Sequence, residues 1–418
     1  MIRSATGSRL PPYDIAIVGA GVIGVSAARE LQIKGLRCLL IDKGDPGHGT
    51  SFGNAGHIAT EQVRPLTQPG AWREVPSLLA GRGVASIVWR DLGSVLPWGW
   101  SFLRACGAAR VAAATRAFQA LQSATGADWR NLAAECAAVG ALTQFLGHDE
   151  ICESGYAHRA TQRNLQDQEK DGVRWRDLTP AELAAIRTVA ATAAAGVRLL
   201  DSGYVKSPIG IVTALHADFV ARGGEYLRSE VSAITPGFKL QSGSGEIRVP
   251  RVLVATGARS ARLLRPLGFT VPLIAERGYH LSFRRHIPGL TRPLVLRERS
   301  VVITPMEFGF RSTSFVEFGA PGSAADPGKW RKLRLHLAQS GIWAPDDAPD
   351  AWMGERPTLP DYLPAIGECR SNPGLYYALG HQHLGLTLSP TTARIVADLI
   401  ALGKRASFLD ALDLRRFG

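Results

Sequence analysis

The hydrophobic pattern near the start of the chain predicts a strand, a helix and a second strand. Tyr13–Val18 is a short apolar run, and the residues from 22 to 34 repeat apolar positions at helical spacing. Leu36–Ile41 is a second apolar run, and it ends at Asp42. Together these elements occupy residues 13–42, the usual span of a βαβ unit. Residues 1–12 lack such a pattern and are expected to form a flexible tail.

Farther along the chain the pattern becomes helical, then extended, then helical again. Residues 62–190 are rich in Ala and helical in period, apart from strand-like pieces near Cys152–Arg159. The remaining predicted elements are a helix over Ser207–Arg222, strands over Glu225–Ile234 and Glu246–Val254, antiparallel strands within residues 271–318, a strand over Leu375–Leu379, and a helix from Pro390 to about Leu402. In that last helix Ser389 is expected as the N-cap and Pro390 as the first helical residue.

The order of these elements predicts an α/β fold, α+β overall, in two domains. A chain of 418 residues exceeds the usual size of a single core. Residues 13–60, 196–270 and 352–418 are expected to form a discontinuous, Rossmann-like nucleotide-binding domain. Residues 61–195 and 271–351 are expected to form a substrate-binding domain, built on an antiparallel sheet with helices.

A glycine-rich turn joins the first predicted strand to the first helix. Gly19, Gly21 and Gly24 have the spacing of the dinucleotide-binding fingerprint, and Asp42 closes the next strand. Gly19 would make the turn, Gly21 would let a pyrophosphate approach the backbone, and Gly24 would let helix and sheet pack closely. Asp42 would accept hydrogen bonds from ribose hydroxyls. The fingerprint alone leaves FAD and NAD both open, as well as a glycine-rich turn in another α/β protein.

Two later segments favour a flavin over NAD. Residues 252–258 (VLVATGA) form a buried strand that ends in Ala-Thr-Gly, typical of a second crossing beside the cofactor, although a plain strand and turn is the alternative. Residues 380–390 (GHQHLGLTLSP) lead into the last helix, whose N-terminus would stabilise negative charge on a reduced flavin. A domain that binds only NAD does not need a segment near the end of the chain that returns to the cofactor.

The segment at 49–60, GTSFGNAGHIAT, is unusually rich in small residues. It is either a surface turn or a stretch that lies against the cofactor, where side chains would not fit. The second interpretation is favoured, with Thr50, Ser51 and Asn54 supplying hydrogen-bonding groups to the flavin.

The formal net charge of +12 is compatible with anionic partners of several kinds. No run of basic residues interleaved with aromatics and no nucleic-acid motif accompanies it, so nucleic acid is not an expected partner. No uncharged apolar run reaches the roughly 18 residues of a membrane span. Val84–Arg110 carries tryptophans among arginines and would either pack as a buried helix or lie on a membrane surface.

The 5 cysteines are widely spaced and contain no CxxC pair. This pattern argues against a disulfide framework and a structural zinc site, and no metal is expected. It suits a reducing cytoplasm, with peripheral contact to the inner face of the cell membrane as an alternative.

The chain resembles the FAD-dependent D-amino acid oxidase and dehydrogenase superfamily, nearest to the bacterial D-amino acid dehydrogenases. The resemblance extends from about Tyr13 to Ile400. It rests on GAGVIG (19–24) with Asp42, TSFGNAG at 50–56, LLRPLGFTVPLIAERGYHL (263–281), and GERPTLPDYLPAIG (354–367) followed by GHQHLGLTLSP. Within the superfamily, GTSFGNAGHIATEQV and SFVEFG most resemble the D-hydroxyproline dehydrogenases, which act on cis-4-hydroxy-D-proline.

The resemblance implies FAD as the cofactor and a D-amino or imino acid as the substrate. Arg356 aligns with the arginine that binds the substrate carboxylate, while Tyr279, Arg311, His57 and His383 are further candidates for the active site, with Glu61 beside them. Some relatives tether the flavin through a histidine where this chain has Gly53, so noncovalent FAD is expected. The residues expected to contact FAD are Gly19, Gly21, Val22, Ile23, Gly24, Asp42, Lys43, Thr50, Ser51, Asn54, Ala55, Gly56, His57, Val231, Ala255, Thr256, Gly257, Gly380, Leu384, Gly385, Leu386 and Thr387.

The expected activity is oxidation of cis-4-hydroxy-D-proline to a pyrroline carboxylate, with a quinone or respiratory carrier as electron acceptor. Gln382 and His383 replace smaller residues of the family, which argues against a generic linear substrate. The alternatives are a broad D-amino acid dehydrogenase acting on linear substrates and an oxidase of the glycine or sarcosine type. A nucleic-acid-binding flavoprotein and a non-catalytic scaffold are more remote alternatives.

Overall fold

The computed structural model describes residues 12–74, 78, 83–342 and 348–418. The tail predicted over residues 1–12 therefore lies, except for its last residue, outside the described residues. The described strands are β1 (Ile15–Val18), β2 (Cys38–Asp42), β3 (His57–Ile58), β4 (Ala85–Ile87), β5 (Thr143–Gln144), β6 (His148–Cys152), β7 (Trp175–Asp177), β8 (Ala195–Leu199), β9 (Gly203–Val205), β10 (Glu225–Arg228), β11 (Val231–Thr235), β12 (Lys239–Ser242), β13 (Gly245–Arg248), β14 (Val252–Val254), β15 (Ile274–Phe283), β16 (Leu294–Leu296), β17 (Val301–Met306), β18 (Gly309–Gly319), β19 (Asp350–Thr358), β20 (Ala365–Glu368) and β21 (Leu375–Leu379). The described α-helices are α1 (Val22–Ile33), α2 (Leu92–Ala105), α3 (Ala108–Gln122), α4 (Thr125–Glu135), α5 (Ala137–Leu142), α6 (Gly155–Glu169), α7 (Pro180–Arg187), α8 (Pro208–Ala221), α9 (Ser260–Leu264), α10 (Pro327–Gln339) and α11 (Gly385–Leu402).

A parallel sheet forms the centre of the nucleotide-binding part. Its strands lie in the order β10-β2-β1-β14-β21-β20, and all neighbours are parallel except β20, which is antiparallel to β21. Ile15 and Ile17 of β1 face a core with α1 and α11, whereas Ala16 and Val18 face a second core on the opposite side. Since both faces are covered, the strand is a continuous apolar run rather than an alternating one. The predicted βαβ unit is confirmed, with ends within two residues of the prediction.

A larger mixed sheet carries the other half of the molecule. In the described part of the chain it has nine strands, in the order β19-β15-β18-β17-β16-β6-β8-β7, with β4 paired to β18. The long antiparallel strands β15, β17 and β18 lie where the alternating pattern of residues 271–318 predicts them. Two small sheets accompany it, β11-β12-β13 and β3-β9-β5.

The predicted start of the last helix is wrong. The helix α11 begins at Gly385 with Leu384 as its N-cap, so Pro390 lies inside it. A proline there cannot donate to the carbonyl of Leu386, four residues earlier. The hydroxyl of Ser389 donates to that carbonyl instead, at 2.9 Å, so the helix continues through the proline.

Three predicted strands are also interrupted or shifted. Residues 225–234 divide into β10 and β11, which belong to different sheets, and residues 246–254 divide at Pro250 into β13 and β14. Proline has no N–H for a sheet ladder, which explains the second break. Near Cys152–Arg159 the strand ends at Cys152, and α6 follows with Ser154 as its N-cap.

The predicted domain borders at residues 196 and 352 run through strands of the larger sheet. β8 pairs with β6, and β19 pairs with β15, so both strands extend that sheet. Periodicity alone marks where a strand lies but not which sheet it joins. The division of the chain into domains otherwise remains a prediction. In the described residues, no helix combines the length and apolar character needed to cross a membrane.

The close packing of α1 against the turn at Gly19 leads to a stability prediction. A Cβ atom on Gly24 would lie 1.8 Å from the carbonyl oxygen of Gly19. Because backbone must move to relieve that clash, Gly24→Ala is expected to destabilise the protein by about 1–3 kcal/mol or more. The measurement is the thermal unfolding midpoint of the purified protein.

Gly99→Ala is the matched control for this substitution. Gly99 is also helical, in α2, and a Cβ there meets nothing within 4 Å. Its replacement by Ala should leave the midpoint unchanged or raise it, because alanine favours a helix by about 1 kcal/mol over glycine. Equal midpoints for Gly24→Ala and wild type would contradict the role given to Gly24.

Candidate active site

A cavity of about 840 Å³ lies where the two large sheets meet. Its size is within the range of about 300–1,000 Å³ typical of small-molecule sites. One wall consists of the carboxyl ends of β1, β2 and β14, where open α/β sheets bind their ligands. The other walls come from the 49–57 segment, the larger sheet and the start of α11.

The glycine-rich turn has no room for side chains. Gly19 has a φ of +110°, and a Cβ on it would lie 2.4 Å from the carbonyl oxygen of Ala255. Gly21 is the N-cap of α1 and supplies no side-chain cap, so the start of the helix faces the cavity. Backbone N–H groups at such a helix start bind anionic phosphates. This cradle is therefore suited to a pyrophosphate.

Asp42 lies beside that turn and lines the same cavity. Its Oδ2 accepts a hydrogen bond from the N–H of Ala20 at 2.7 Å, and its Oδ1 accepts one from Gly44 at 3.0 Å. The carboxylate thus holds two loops together, and each oxygen has a further lone pair for a ribose hydroxyl. Sequence reasoning anticipated the second role and missed the first.

Hydrogen bonds hold the 49–57 segment in place from both sides. Ser51 Oγ accepts from the N–H of Val22 at 3.0 Å, and Thr50 donates to the carbonyl of Glu355 at 2.8 Å. Asn54 Oδ1 accepts from the N–H of Gly56 at 2.8 Å, which stabilises the left-handed turn at that glycine. The side chains of Ser51, Thr50 and Asn54 therefore shape the segment as well as lining the cavity.

Arg311 does not line the cavity, so its predicted contact with substrate is not supported. Its Nη1 donates to the carbonyls of Phe52 and Asn54, at 3.2 and 2.6 Å. Desolvation by burial lowers the pKa of Arg311 to about 10, so the side chain is still charged near neutral pH. Arg311 therefore fixes the position of the 49–57 segment through these two backbone carbonyls.

Position 53 has to be a glycine because the ring of Trp352 packs directly against it. A Cβ on Gly53 would lie 2.0 Å from the ring of Trp352, which stacks on His280 with 5.0 Å between ring centroids. His280 Nδ1 is 3.1 Å from the carbonyl of Gly53, and a carbonyl only accepts, so Nδ1 is the protonated nitrogen. This aromatic packing explains the glycine without reference to the flavin.

The start of α11 also faces the cavity. Gly385, Leu386 and Thr387 line it, and no side chain caps the helix N-terminus. Thr387 joins the helix to the 49–57 segment, since its hydroxyl donates to the carbonyl of His57 at 3.3 Å and accepts from Ala59 at 3.1 Å. A partial positive charge is thereby aimed into the cavity.

Arg356 lines the cavity from β19, and a buried carboxylate orients it. Nη1 donates to Glu276 Oε1 at 3.4 Å and to the carbonyl of Phe315 at 3.2 Å. Both hydrogen bonds described for this guanidinium use Nη1, so Nη2 and Nε remain for a ligand. A Cβ on Gly278 would lie 2.1 Å from Nη2, so a glycine on the neighbouring strand makes room for the guanidinium. Sequence reasoning identified Arg356 but missed Glu276 and Gly278.

Tyr279 lies in the wall of the cavity but its hydroxyl is engaged elsewhere. The hydroxyl donates to Glu317 Oε2 at 2.5 Å and accepts from the N–H of Asp326 at 3.0 Å. Burial, with the hydrogen bond to Glu317, raises the pKa of Tyr279 well above its usual value. Tyr279 therefore contributes the ring, and not an ionisable hydroxyl, to the cavity.

Buried and half-buried polar side chains form another part of the wall, called here the polar wall: His57, Glu61, His148 and Glu150. His57 Nε2 is 3.3 Å from Glu61 Oε1, and the rings of His57 and His148 meet edge to face with centroids 4.5 Å apart. Burial favours neutral histidine, but the carboxylates of Glu61 and Glu150 outweigh it and raise the pKa of His148. Burial likewise opposes ionisation of Glu61, but the charges of His57 and His148 lower its pKa to about 2.

His383 joins that polar wall. Its Nε2 is 2.7 Å from Oε1 of Gln62, and desolvation by burial lowers its pKa to about 4, so the ring is neutral near pH 7. The charges of Glu276, Arg356, His57 and Glu61 all act on this ring. The structure thus brings Arg356, His57 and His383 together around one part of the cavity.

The residues predicted to contact FAD almost all line the cavity; of the described residues in that set, only Gly24 and Gly56 do not. Both are instead packed against backbone, Gly24 on Gly19 and Gly56 on the carbonyl of Val205. His148 and Glu150 were missed, because their only signal is a run of three polar residues at the start of a buried strand. The glycine cradle and the two helix N-termini fit an extended dinucleotide such as FAD.

Comparisons with known proteins agree with this geometry. The family described as "DAO: FAD dependent oxidoreductase" matches residues 14–399. A D-amino-acid oxidase of Bradyrhizobium diazoefficiens is 32% identical over 414 residues, 93% of this chain and 94% of that protein. A D-amino acid dehydrogenase of Paramagnetospirillum magneticum is 28% identical over 96% of this chain and 98% of its own.

A solved structure shares the fold over nearly its whole length. Glycine oxidase from Geobacillus kaustophilus superposes with a TM-score of 0.74 at 23% identity, covering 97% of this chain and 99% of that one. The cavity, the cradle and the family match agree, and the chain belongs to the DAO family of FAD dependent oxidoreductases.

Proposed function

We propose that this FAD-dependent oxidoreductase is a dehydrogenase that oxidises a D-amino or imino acid to its imine, with cis-4-hydroxy-D-proline as the preferred substrate. The observation that carries the proposal is Arg356, held by Glu276 in a cavity with a polar wall. Alternatives are a broad D-amino acid dehydrogenase for linear substrates and a glycine or sarcosine-type oxidase.

Arg356 is proposed to bind the substrate carboxylate. A guanidinium presents a planar fork that matches a carboxylate in bidentate geometry. Glu276 engages Nη1, and Thr358 in turn donates to Glu276 Oε2 at 3.0 Å, so the fork is held before the substrate arrives. Such preorganisation fixes the Cα–H bond of the substrate in one orientation.

Bound FAD would supply the two-electron acceptor: the electron pair of the Cα–H bond would leave as hydride to the flavin, the lone pair of the neutral amine would form the C=N bond, and the proton lost by the ammonium form would go to water. The protein residues orient the substrate and exclude water. FAD is expected to bind without a covalent bond, because Gly53 offers no side chain and is covered by Trp352.

The polar wall supports a hydroxylated substrate. A ring hydroxyl both donates and accepts, and His57 Nε2 and Glu61 Oε2 are buried without hydrogen-bond partners among the described residues. Leaving such groups unpaired is costly, so a ligand that pairs them gains affinity. A linear apolar side chain would leave them unpaired.

Anaerobic flavin reduction tests the function. The yellow holoenzyme is mixed with cis-4-hydroxy-D-proline, D-proline, D-alanine, D-arginine or sarcosine, and bleaching of the flavin is followed in a stopped-flow instrument. The hydroxylated imino acid should bleach it fastest. Faster bleaching by D-alanine or D-arginine would favour the linear-substrate alternative, fast reoxidation in air after sarcosine would favour the oxidase, and no bleaching by any of them would refute the proposal.

Arg356→Lys tests the carboxylate contact. Lysine keeps the charge but loses the fork, so kcat/KM should fall roughly tenfold to a hundredfold, mainly through KM, while FAD remains bound. Arg284→Lys is the control, because Arg284 is exposed on the adjacent β15–β16 connection and pairs only with Asp350 among the described residues. Steady-state kinetics that do not distinguish the two variants would contradict the assignment of Arg356.

An exposed apolar face supports peripheral contact with a membrane, where a quinone would be within reach as the proposed electron acceptor. Leu96 and Trp100 lie one turn apart on α2 and are 64% and 66% exposed, with exposed Trp89 nearby in sequence. Exposed Arg104 follows on the same helix face, which suits an anionic lipid surface.

Vesicle co-sedimentation tests this surface. Wild-type protein should sediment with vesicles containing anionic phospholipid and less with neutral ones, and the double variant Leu96→Ala, Trp100→Ala should lose most of that binding. Tyr156→Ala, at a site that is 74% exposed on α6, serves as control. Equal sedimentation of wild type and the double variant would remove the membrane contact from the proposal.

A further inference from the structure

The polar wall contains more metal-ligand side chains than hydrogen bonds to a substrate hydroxyl would require. His57 lies in β3 and Glu61 follows four residues later, while His148 and Glu150 are two apart on β6 and so share one face of that strand. These elements belong to different sheets. The tertiary fold, and no local motif, brings the four side chains together.

The donor atoms of three of these residues form a compact group. One ligand atom from each of His57, Glu61 and His148 lies within 4.8 Å of the others. Zinc–ligand bonds of about 2.1 Å in tetrahedral geometry place the ligand atoms roughly 3.4 Å apart. Side-chain movements of about 1 Å would therefore bring the three ligand atoms to bonding distance around one ion.

A second residue fixes the orientation of His148. Its Nδ1 is 2.7 Å from Ser202 Oγ, and its Nε2 is 3.6 Å from Glu150 Oε1. A hydrogen bond to one imidazole nitrogen that leaves the other facing the ligands is typical of histidines that bind metals. The ring is buried, with 2% of its side chain exposed, so it cannot turn to solvent.

Two polar atoms of the group make no hydrogen bond within the described part of the chain, although His57 Nε2 lies 3.3 Å from Glu61 Oε1. His57 Nε2 and Glu61 Oε2 are buried with no hydrogen-bond partner among the described residues. Glu61 and Glu150 place two carboxylates here, and the cation described nearest to Glu150 is Arg297 at 3.5 Å, at the edge of the group. Two carboxylates, with imidazoles that lose their protons when they bind the ion, would balance the charge of a divalent cation.

We propose that His57, Glu61 and His148 bind one divalent transition-metal ion, with Zn²⁺ the best match to two imidazoles and a carboxylate. Such a set leaves at least one coordination position open, as in sites that bind water or a substrate oxygen. Since these residues line the cavity, that position would face the cavity. This ion site goes beyond the proposed dehydrogenase and does not depend on it; with the ion bound, a substrate hydroxyl would meet the open coordination position and not His57 and Glu61 directly.

The test measures metal and flavin in the same samples. Holoenzyme without an affinity tag is treated with a chelator, equilibrated with ZnCl₂ and desalted; zinc is then measured by mass spectrometry and FAD by absorbance. The wild type should retain about one zinc per chain. His148→Ala and Glu61→Gln should each lower the zinc content at least tenfold while FAD content stays the same. Glu61→Gln preserves the shape of the side chain, so it tests the site even if His148→Ala fails to fold.

His158→Ala is the control, because His158 lies on α6 and pairs with Asp177 outside the cavity. It should retain zinc as the wild type does. A wild type that retains no zinc, or variants that retain as much as the wild type, would overturn the proposal. Because flavin reduction by amino acids is measured separately, a failed metal site would leave the dehydrogenase proposal standing.

Discussion

The structure depends on how closely the backbone of α1 approaches the parallel sheet. Gly24 lies against the carbonyl of Gly19, and Gly19 lies against Ala255 at the end of β14, so none of these contacts leaves room for a side chain. This approach directs the start of α1 toward the carboxyl ends of the strands. The glycine-rich turn follows from that contact, and the 49–57 segment joins the start of α1 through the hydrogen bond from Val22 to Ser51.

The larger sheet places the side chains of Glu276 and Arg356 opposite the glycine-rich turn. β15, β18 and β19 pair side by side, so Glu276 and Arg356 face one another in register and Gly278 leaves space for the guanidinium. Arg311, from the same sheet, ties down the 49–57 segment. One sheet therefore orients the guanidinium of Arg356 and also fixes the 49–57 segment that lines the cavity.

Local periodicity was sufficient for several elements of the fold. The βαβ unit, β21 and the long strands of residues 271–318 lie where the sequence predicts them, since each is a continuous or alternating apolar run. The start of α11 was missed because a proline usually marks a first turn, whereas the hydroxyl of Ser389 replaces the lost N–H donor. The borders predicted at residues 196 and 352 fall inside strands of the larger sheet, because periodicity does not say which sheet a strand joins.

The sequence by itself determined the cofactor class and singled out Arg356, because a glycine spacing and a motif are local properties of the chain. Only the tertiary structure decided what surrounds them. Arg311 proved to bind backbone carbonyls, Glu276 to orient Arg356, and His148 to meet His57 and Glu61 from another sheet. These contacts join residues 80 or more positions apart, and long-range pairings of that kind leave no periodic signal in a single sequence.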